Sequence, residues 1–152
     1  MLLGQEMLED SIKAIEEEGG DCLTKVRKLI RTYAMVMTTI LGMCQVRLDD
    51  REVSPEGRRQ IRAKKRKYDS VLRRYFEEGI ADETITNSDP KLSAFAIAGS
   101  LNWIGHWHQP GGQLSAEAIA DEFALRLTEG LVAKKSARPA ARAIKRKSGR
   151  GG

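Results

Sequence analysis

Apolar residues return every three or four positions from Leu2 to Leu131, and nowhere do they alternate at every second position. A period near 3.6 puts such residues on one face of a helix, whereas a strand buried on one side needs a period of two. The chain is therefore expected to be all-α, a bundle of about five main helices. The breaks between the periodic runs carry capping chemistry. Gly19-Gly20 closes a first helix built on Leu3, Met7, Leu8, Ile12 and Ile15. A second helix starts near Asp21 and runs through Leu23, Val26, Ile30, Tyr33, Met37, Ile40 and Leu41 to Cys44. Ser54-Pro55-Glu56 opens a third, ending near Glu78 at Gly79. Asp89-Pro90 opens a fourth, which reaches His108 and stops at Gln109-Pro110-Gly111-Gly112. Ser115 caps a fifth, to about Ala133, with Ile119, Phe123, Leu127 and Leu131 on one stripe.

The charge is unevenly placed. The net charge of the 152 residues is +5, yet eight of the 26 Lys and Arg residues lie in 134–152, where there is no acid. That leaves 18 basic against 21 acidic residues in 1–133, a net of −3 for the folded part. The tail, rich in Ala, Arg, Lys, Gly and Ser with one Ile, buries too little apolar surface to offset its ordering entropy. Residues 1–133 are thus expected to form one domain and 134–152 a disordered basic tail. Arg58 to Lys67 holds seven basic residues in ten. No aromatics interleave with them and acids flank them, so a solvated helix face is the expected reading.

Two uncharged runs bear on a membrane. Thr32 to Val46 is 15 residues, too short to span. Leu92 to Ala116 is longer but contains Asn, Gln, Pro, two His and several Gly. Both are read as buried helices. With no basic n-region at the N-terminus and two cysteines, Cys22 and Cys44, that lack metal spacing, the expected location is the cytoplasm, with reduced thiols and no membrane partner.

Catalytic signatures are absent: no GxSxG, P-loop, GxGxxG or HExxH. No enzyme activity, cofactor or metal is expected. His106 and His108 form an H-x-H pair that points to different sides of a helix, and there is no third histidine. They read as partly exposed helix-end residues.

Two other features carry more. The second helix has an amphipathic first half, with Lys25, Arg27, Lys28 and Arg31 outward, and then becomes apolar all round, which sends its distal half to the centre of the bundle. Trp103 and Trp107 share one face of the fourth helix with Phe95, Ala96 and Gly99, and Asn102 is a polar group in an apolar segment. The stripe of Ala94, Ala98, Leu101 and Gly105 is small enough to admit another helix closely, and on a terminal helix pair with an uncharged surface that helix is expected from a second subunit.

The segment "DPKLSAFAIAGSLNWIGHWHQPGGQLSAEAIADEFALRLTEGL" resembles the C-terminal end of TetR-family transcriptional regulators. The features that carry the resemblance are Asp89-Pro90, Leu101-Asn102-Trp103, Trp107, Pro110-Gly111-Gly112, Leu114-Ser115 and Gly130-Leu131. "KYDSVLRRYFEEGI" is similar to the family's central helix, and Leu2-Leu3 to the start of its linker helix. His108 departs from the pattern, in which a tyrosine follows the second tryptophan.

The resemblance implies a homodimer whose last two helices form a four-helix interface, here assigned to Ala94, Ala98, Leu101, Gly105, Ile119, Phe123 and Leu127. It also implies a pocket for a small apolar effector such as an acyl-CoA, a fatty acid or a steroid derivative. Tyr33, Met37, Ile40, Phe95 and Trp103 are placed around it, with Asn102 as polar anchor. DNA would be met through the family's helix-turn-helix, which is missing from this chain and would lie just before Leu2, or weakly through the basic tail. The alternatives are a helical dimerisation module and a nucleic-acid-associated protein acting through its tail without ligand.

Overall fold

The computed structural model describes residues 3–47 and 51–129, with side chains from Glu6 onward. They form six helices: α1 (Leu3–Glu18), α2 (Cys22–Met37), α3 (Ile40–Arg47), α4 (Pro55–Ala81), α5 (Pro90–Trp107) and α6 (Ala116–Glu129). The expected basic tail lies outside the described residues, as do Gly130 and Leu131.

The caps work as their residue types dictate. Gly19 and Gly20 take φ of 70° and 106°, a left-handed turn that glycine enters without a side-chain clash. Asp21 Oδ1 accepts from the Thr24 amide at 2.7 Å and Asp89 Oδ1 from the Leu92 amide at 3.0 Å. Ser54 Oγ accepts from the Gly57 amide at 3.1 Å, and Ser115 Oγ from the Ala118 amide at 3.1 Å. Each satisfies an amide that the first helical turn leaves without an intrahelical partner.

One expectation is corrected. The long second helix is two helices, α2 and α3, bent by 83° at Thr38-Thr39. Both threonine hydroxyls turn back onto carbonyls, Thr38 Oγ1 donating to Met35 O and Thr39 Oγ1 to Val36 O, each at 2.7 Å. Thr39 Oγ1 also accepts from the Gly42 amide at 3.1 Å, so the same side chain closes one helix and caps the next. The end of α4 is also later than expected, at Ala81, with Gly79 buried inside the helix.

Helix α2 is the centre of the bundle and packs against all five other helices. Val26, Leu29, Ile30 and Ala34 are wholly buried, against Leu72, Tyr75 and Phe76 of α4, Leu101 and Ile104 of α5, and Ile119, Ala120 and Ala124 of α6 in one continuous core. Helix α1 is held at its C-terminal end by Glu16, which accepts from the Tyr75 hydroxyl at 2.7 Å and pairs with Arg74 and with Lys25 (3.5 Å). Among the described residues no single helix is long and apolar enough to cross a membrane.

Candidate effector cavity

The bend after α2 opens space beside its last turns. Helix α3 leaves at 83° to α2, and α1, α4 and α5 also border the space. A cavity of about 280 Å³ lies between them. Its floor is α2, through Tyr33, Val36 and Met37. Phe95, Ala98 and Asn102 come from α5, Leu8 and Ile12 from α1, Gln45 from α3 and Tyr68 from α4. Lys64, Lys65, Arg66 and Lys67 of α4 stand at the rim with Glu9 and Asp69. The two acids are already engaged, Glu9 by Lys67 at 3.3 Å and Asp69 by Arg73 at 2.7 Å, so the rim keeps a positive surplus.

The polar groups of the wall are few. Tyr33 and Tyr68 stack with ring centroids 4.6 Å apart and planes 25° apart. The Tyr33 hydroxyl donates to Asn102 Oδ1 at 2.6 Å. The Tyr68 hydroxyl is buried and has no hydrogen-bond partner among the described residues. Burial pushes Tyr33 up to about 12, and burial with the neighbouring Tyr33 holds Tyr68 well above the usual phenol range. Both stay protonated at neutral pH, so each presents an O–H donor.

Of the residues expected at the pocket, Tyr33, Met37, Phe95 and Asn102 line this cavity. Ile40 and Trp103 do not: they are 72% and 62% exposed. Ile40 follows the bend and swings outward with α3, and Trp103 is one residue past Asn102 and so faces away from it. The sequence reading missed Tyr68 and the α1 wall. Tyr68 sits where the basic run of α4 gives way to its apolar half, and that transition was the available signal.

The interface assignment is corrected more deeply. Ala94, Leu101 and Gly105 are fully or almost fully buried inside the chain, where they let α5 lie close against α2 and α3. A Cβ on Gly105 would come within 2.5 Å of Val46 Cγ2 and 3.5 Å of Met43 Cα. Ile119 is likewise core, Phe123 and Leu127 are half-buried against it, and Ala98 lines the cavity. The face of α5 that remains exposed is the other one: Leu92, Phe95, Trp103 and Trp107. Small residues at helical spacing mark close helix contact, and here the partner helices belong to the same chain.

The histidines end α5. His108 is buried, contrary to expectation, because it is the C-cap, and its carbonyl joins those of Gly105 and His106 in accepting from Arg47 at 3.3, 2.8 and 3.2 Å. A guanidinium there meets the negative end of the helix dipole. Trp107 stacks on Phe123 of α6 at 6.4 Å, and the Trp103 ring lies 5.1 Å from that of His106 with the planes tilted by 38°. No group of three or more metal-ligating side chains gathers among the described residues.

Residues 19–131 match the family model described as the tetracyclin repressor-like C-terminal domain. The chain belongs to the TetR family. The match runs from the end of α1 through α6 and so takes in the cavity floor and α5. Solved TetR-family structures have the same fold. A TetR/AcrR-family regulator from Thermobifida fusca YX-ER1 superposes with a TM-score of 0.72 at 22% identity, over 84% of this chain and 68% of that one. AibR, crystallised with isovaleryl coenzyme A and operator DNA, gives 0.67 at 24% identity, over 83% and 69%. The ketosteroid transcriptional regulator KstR2 of Mycobacterium tuberculosis gives 0.70 at 15% identity, over 86% and 68%. No curated protein matches the sequence. In this TetR-family domain the cavity lies within the matched residues on its α2, α3, α4 and α5 walls.

Proposed function

We propose that this chain is the effector-binding and dimerisation portion of a cytoplasmic TetR-family transcriptional regulator, and that its effector is a small apolar molecule carrying an anionic head group. One observation carries the reading: an apolar cavity between α1, α2, α4 and α5 with a positively charged rim. Sites for small molecules are mostly apolar concavities with a few placed polar groups, and their volumes start at roughly 300 Å³. This one lies at that lower bound, and an apolar cavity of roughly 150 Å³ already takes benzene. The interior thus suits a short acyl chain or a compact ring system. The surplus of Lys and Arg at the rim favours an acyl-CoA or a short fatty acid over an uncharged steroid derivative. Isovaleryl coenzyme A, the ligand in the AibR crystal, is a compound of this kind.

The homodimer belongs to the same proposal, with the interface moved to the exposed face of α5. Leu92, Phe95 and Trp103 are large apolar side chains at 64%, 50% and 62% exposure on one helix. A contiguous exposed apolar face of this kind marks an association surface, and a twofold dimer presents the same patch from both subunits. DNA reading would belong to a helix-turn-helix of the family kind.

The test is a thermal-shift series with short- and long-chain acyl-CoAs, free fatty acids and sterol acids on the full chain. A ligand that binds only the folded state, at 100 times its dissociation constant, stabilises by about 2.7 kcal/mol, or several degrees in melting temperature. Short acyl-CoAs should give the largest shift, and it should shrink with added salt. If none of these classes moves the melting point, effector sensing is abandoned in favour of a dimerisation module.

A further inference from the structure

The N-terminal half of α4 holds charge that the protein leaves unneutralised. From Gly57 to Tyr68 the helix has seven Lys and Arg residues and no acid. Lys67 pairs with Glu9 at 3.3 Å and Arg59 with Glu56 at 3.4 Å. Arg62, Lys65 and Arg66 are exposed and make no hydrogen bond or ion pair among the described residues. They stand at i, i+3 and i+4, so the three head groups share one face of the helix. Lys65 and Arg66 belong to the cavity rim, and Arg62 lies one turn before Arg66, about 6 Å along the axis. Asp69, the next acid along α4, is held by Arg73 at 2.7 Å. Like charges at i,i+4 repel and weaken a helix, and Arg62 and Arg66 are such a pair. An anion with several charges, laid across the group, relieves that repulsion.

We infer that Arg62, Lys65 and Arg66 form a phosphate subsite continuous with the cavity, and that the effector is an acyl thioester on a phosphorylated nucleotide carrier of the coenzyme A kind, not a free carboxylic acid. This rests on the cavity being the effector site. Size and charge divide the ligand between the two parts. At about 280 Å³ the cavity takes a short acyl chain but no nucleotide, which stays outside on α4. There the phosphates keep their contact with water, and the guanidinium groups can hold them through paired N–H donors. A carboxylate needs only one such cation and leaves the others unneutralised. The thioester carbonyl is neutral, so the acyl end enters the apolar interior without stranding a charge.

The experiment is isothermal titration calorimetry of the full chain with butyryl-CoA, with S-butyryl pantetheine, which has the acyl arm and no phosphate, and with butyrate. The proteins are wild type, the double variant Arg62→Gln/Arg66→Gln, and Lys13→Gln/Arg126→Gln, which loses the same charge from residues that do not line the cavity; circular dichroism verifies folding. Wild type should prefer butyryl-CoA to the pantetheine thioester by roughly tenfold, because each exposed ion pair contributes little and three act together. Added salt should shrink the preference. Arg62→Gln/Arg66→Gln should lose most of it while binding the pantetheine thioester within about twofold of wild type, and Lys13→Gln/Arg126→Gln should keep it. In wild type, adenosine 3′,5′-bisphosphate should compete with butyryl-CoA and leave S-butyryl pantetheine in place. Overturning results are equal binding of the two thioesters, butyrate binding as tightly as butyryl-CoA, no competition by the bisphosphate, or a preference that survives Arg62→Gln/Arg66→Gln or falls equally in Lys13→Gln/Arg126→Gln. Each of these leaves the cavity as an effector site. Duplex DNA whose binding falls on Arg62→Gln/Arg66→Gln while that of butyryl-CoA does not makes this face a DNA contact and overturns the subsite. Failure of all three compounds to bind wild type overturns the subsite and the cavity reading together.

Discussion

Tyr33 donates its phenolic proton to Asn102 Oδ1 at 2.6 Å, and that bond ties the centre of α2 to the middle of α5 beside the cavity. The two partners are unequal. Tyr33 is 8% exposed, whereas Asn102 is half-buried and can turn to water. Losing the asparagine therefore strands a buried donor, while losing the hydroxyl removes both the bond and the need for it. Asn102→Leu should cost about 1–3 kcal/mol and Tyr33→Phe about 1 kcal/mol or less. Urea unfolding of the two variants and the double variant measures the order, and the double variant should be less destabilised than the sum.

The bend at Thr38-Thr39 makes a second asymmetry. A Cβ on Gly42 would collide with the carbonyl of Val36 and lie 2.8 Å from Met37 Cα, both backbone atoms fixed by the end of α2. At Gly105 the first obstacle is the Val46 side chain, which can shift. Gly42→Ala should therefore destabilise by about 3 kcal/mol or more and Gly105→Ala by about 1–2 kcal/mol. Differential scanning calorimetry on the pair checks the ranking, and equal losses would contradict the geometry.

These cases mark what the sequence could and could not say. The helix starts were legible because Asp21, Ser54, Asp89 and Ser115 act on amides three residues away, and such chemistry is local. The burial of Tyr33, Val36 and Met37 was legible because the polar face vanishes after Arg31, but Ile40, Leu41 and Cys44, expected to be surrounded as well, are exposed beyond the bend. The bend was not, because threonine tolerates a helix interior and its hydroxyl closes the turn only once α3 has somewhere to go. The stripe of Ala94, Leu101 and Gly105 was assigned to a dimer interface, and it packs inside the chain instead. Spacing alone cannot say whether the approaching helix is in the same chain. Four of six expected pocket residues reached the cavity because α2 and α5 have the expected facing. Ile40 was lost with the bend, and Trp103 by one step around α5.

Glu16 gives the domain an acid sensitivity. The Tyr75 hydroxyl, opposed by partial burial and then aided by Arg74 and Lys25, holds its carboxyl below the ordinary 4.5. A carboxyl whose folded pKa is depressed contributes stability in full above its unfolded pKa, and that contribution drains away as pH falls through the folded value. The effect therefore belongs below about pH 4.5, not near neutrality. Glu16→Gln should lower the melting temperature at pH 7 and flatten its decline below pH 4.5. A parallel decline in wild type and variant would remove Glu16 from the account.

The two thiols should differ sharply. Cys22 is 7% exposed, and burial together with Asp82 and Glu78 pushes it up to about 11, whereas Cys44 is exposed on α3. The thiolate is the reactive form, so iodoacetamide at pH 8 should modify Cys44 and leave Cys22 intact until the protein is denatured. Peptide mapping after timed alkylation reads this directly, and early label on Cys22 would show that the α1–α2 corner opens.

The exposed face of α5 separates folding from association in one pair of variants. Leu101 is wholly buried between α5 and the core, and a charge there has neither solvent nor partner, so Leu101→Glu should leave no cooperative unfolding transition. Trp103, two residues on, is 62% exposed, and its ring contact among the described residues is with His106 of its own helix. Trp103→Glu should keep the helical circular dichroism and the melting transition of the protomer. Its effect should appear in the mass by light scattering, dimer for wild type and monomer for the variant at micromolar concentration, since a twofold axis places the new charge in the interface twice. Ala98→Glu is the contrasting case. Ala98 faces the cavity, so a charge there should weaken ligand binding and leave the dimer mass unchanged. If wild type is already a monomer, or if Trp103→Glu remains dimeric, the association surface lies elsewhere and the exposed aromatic face of α5 has another partner.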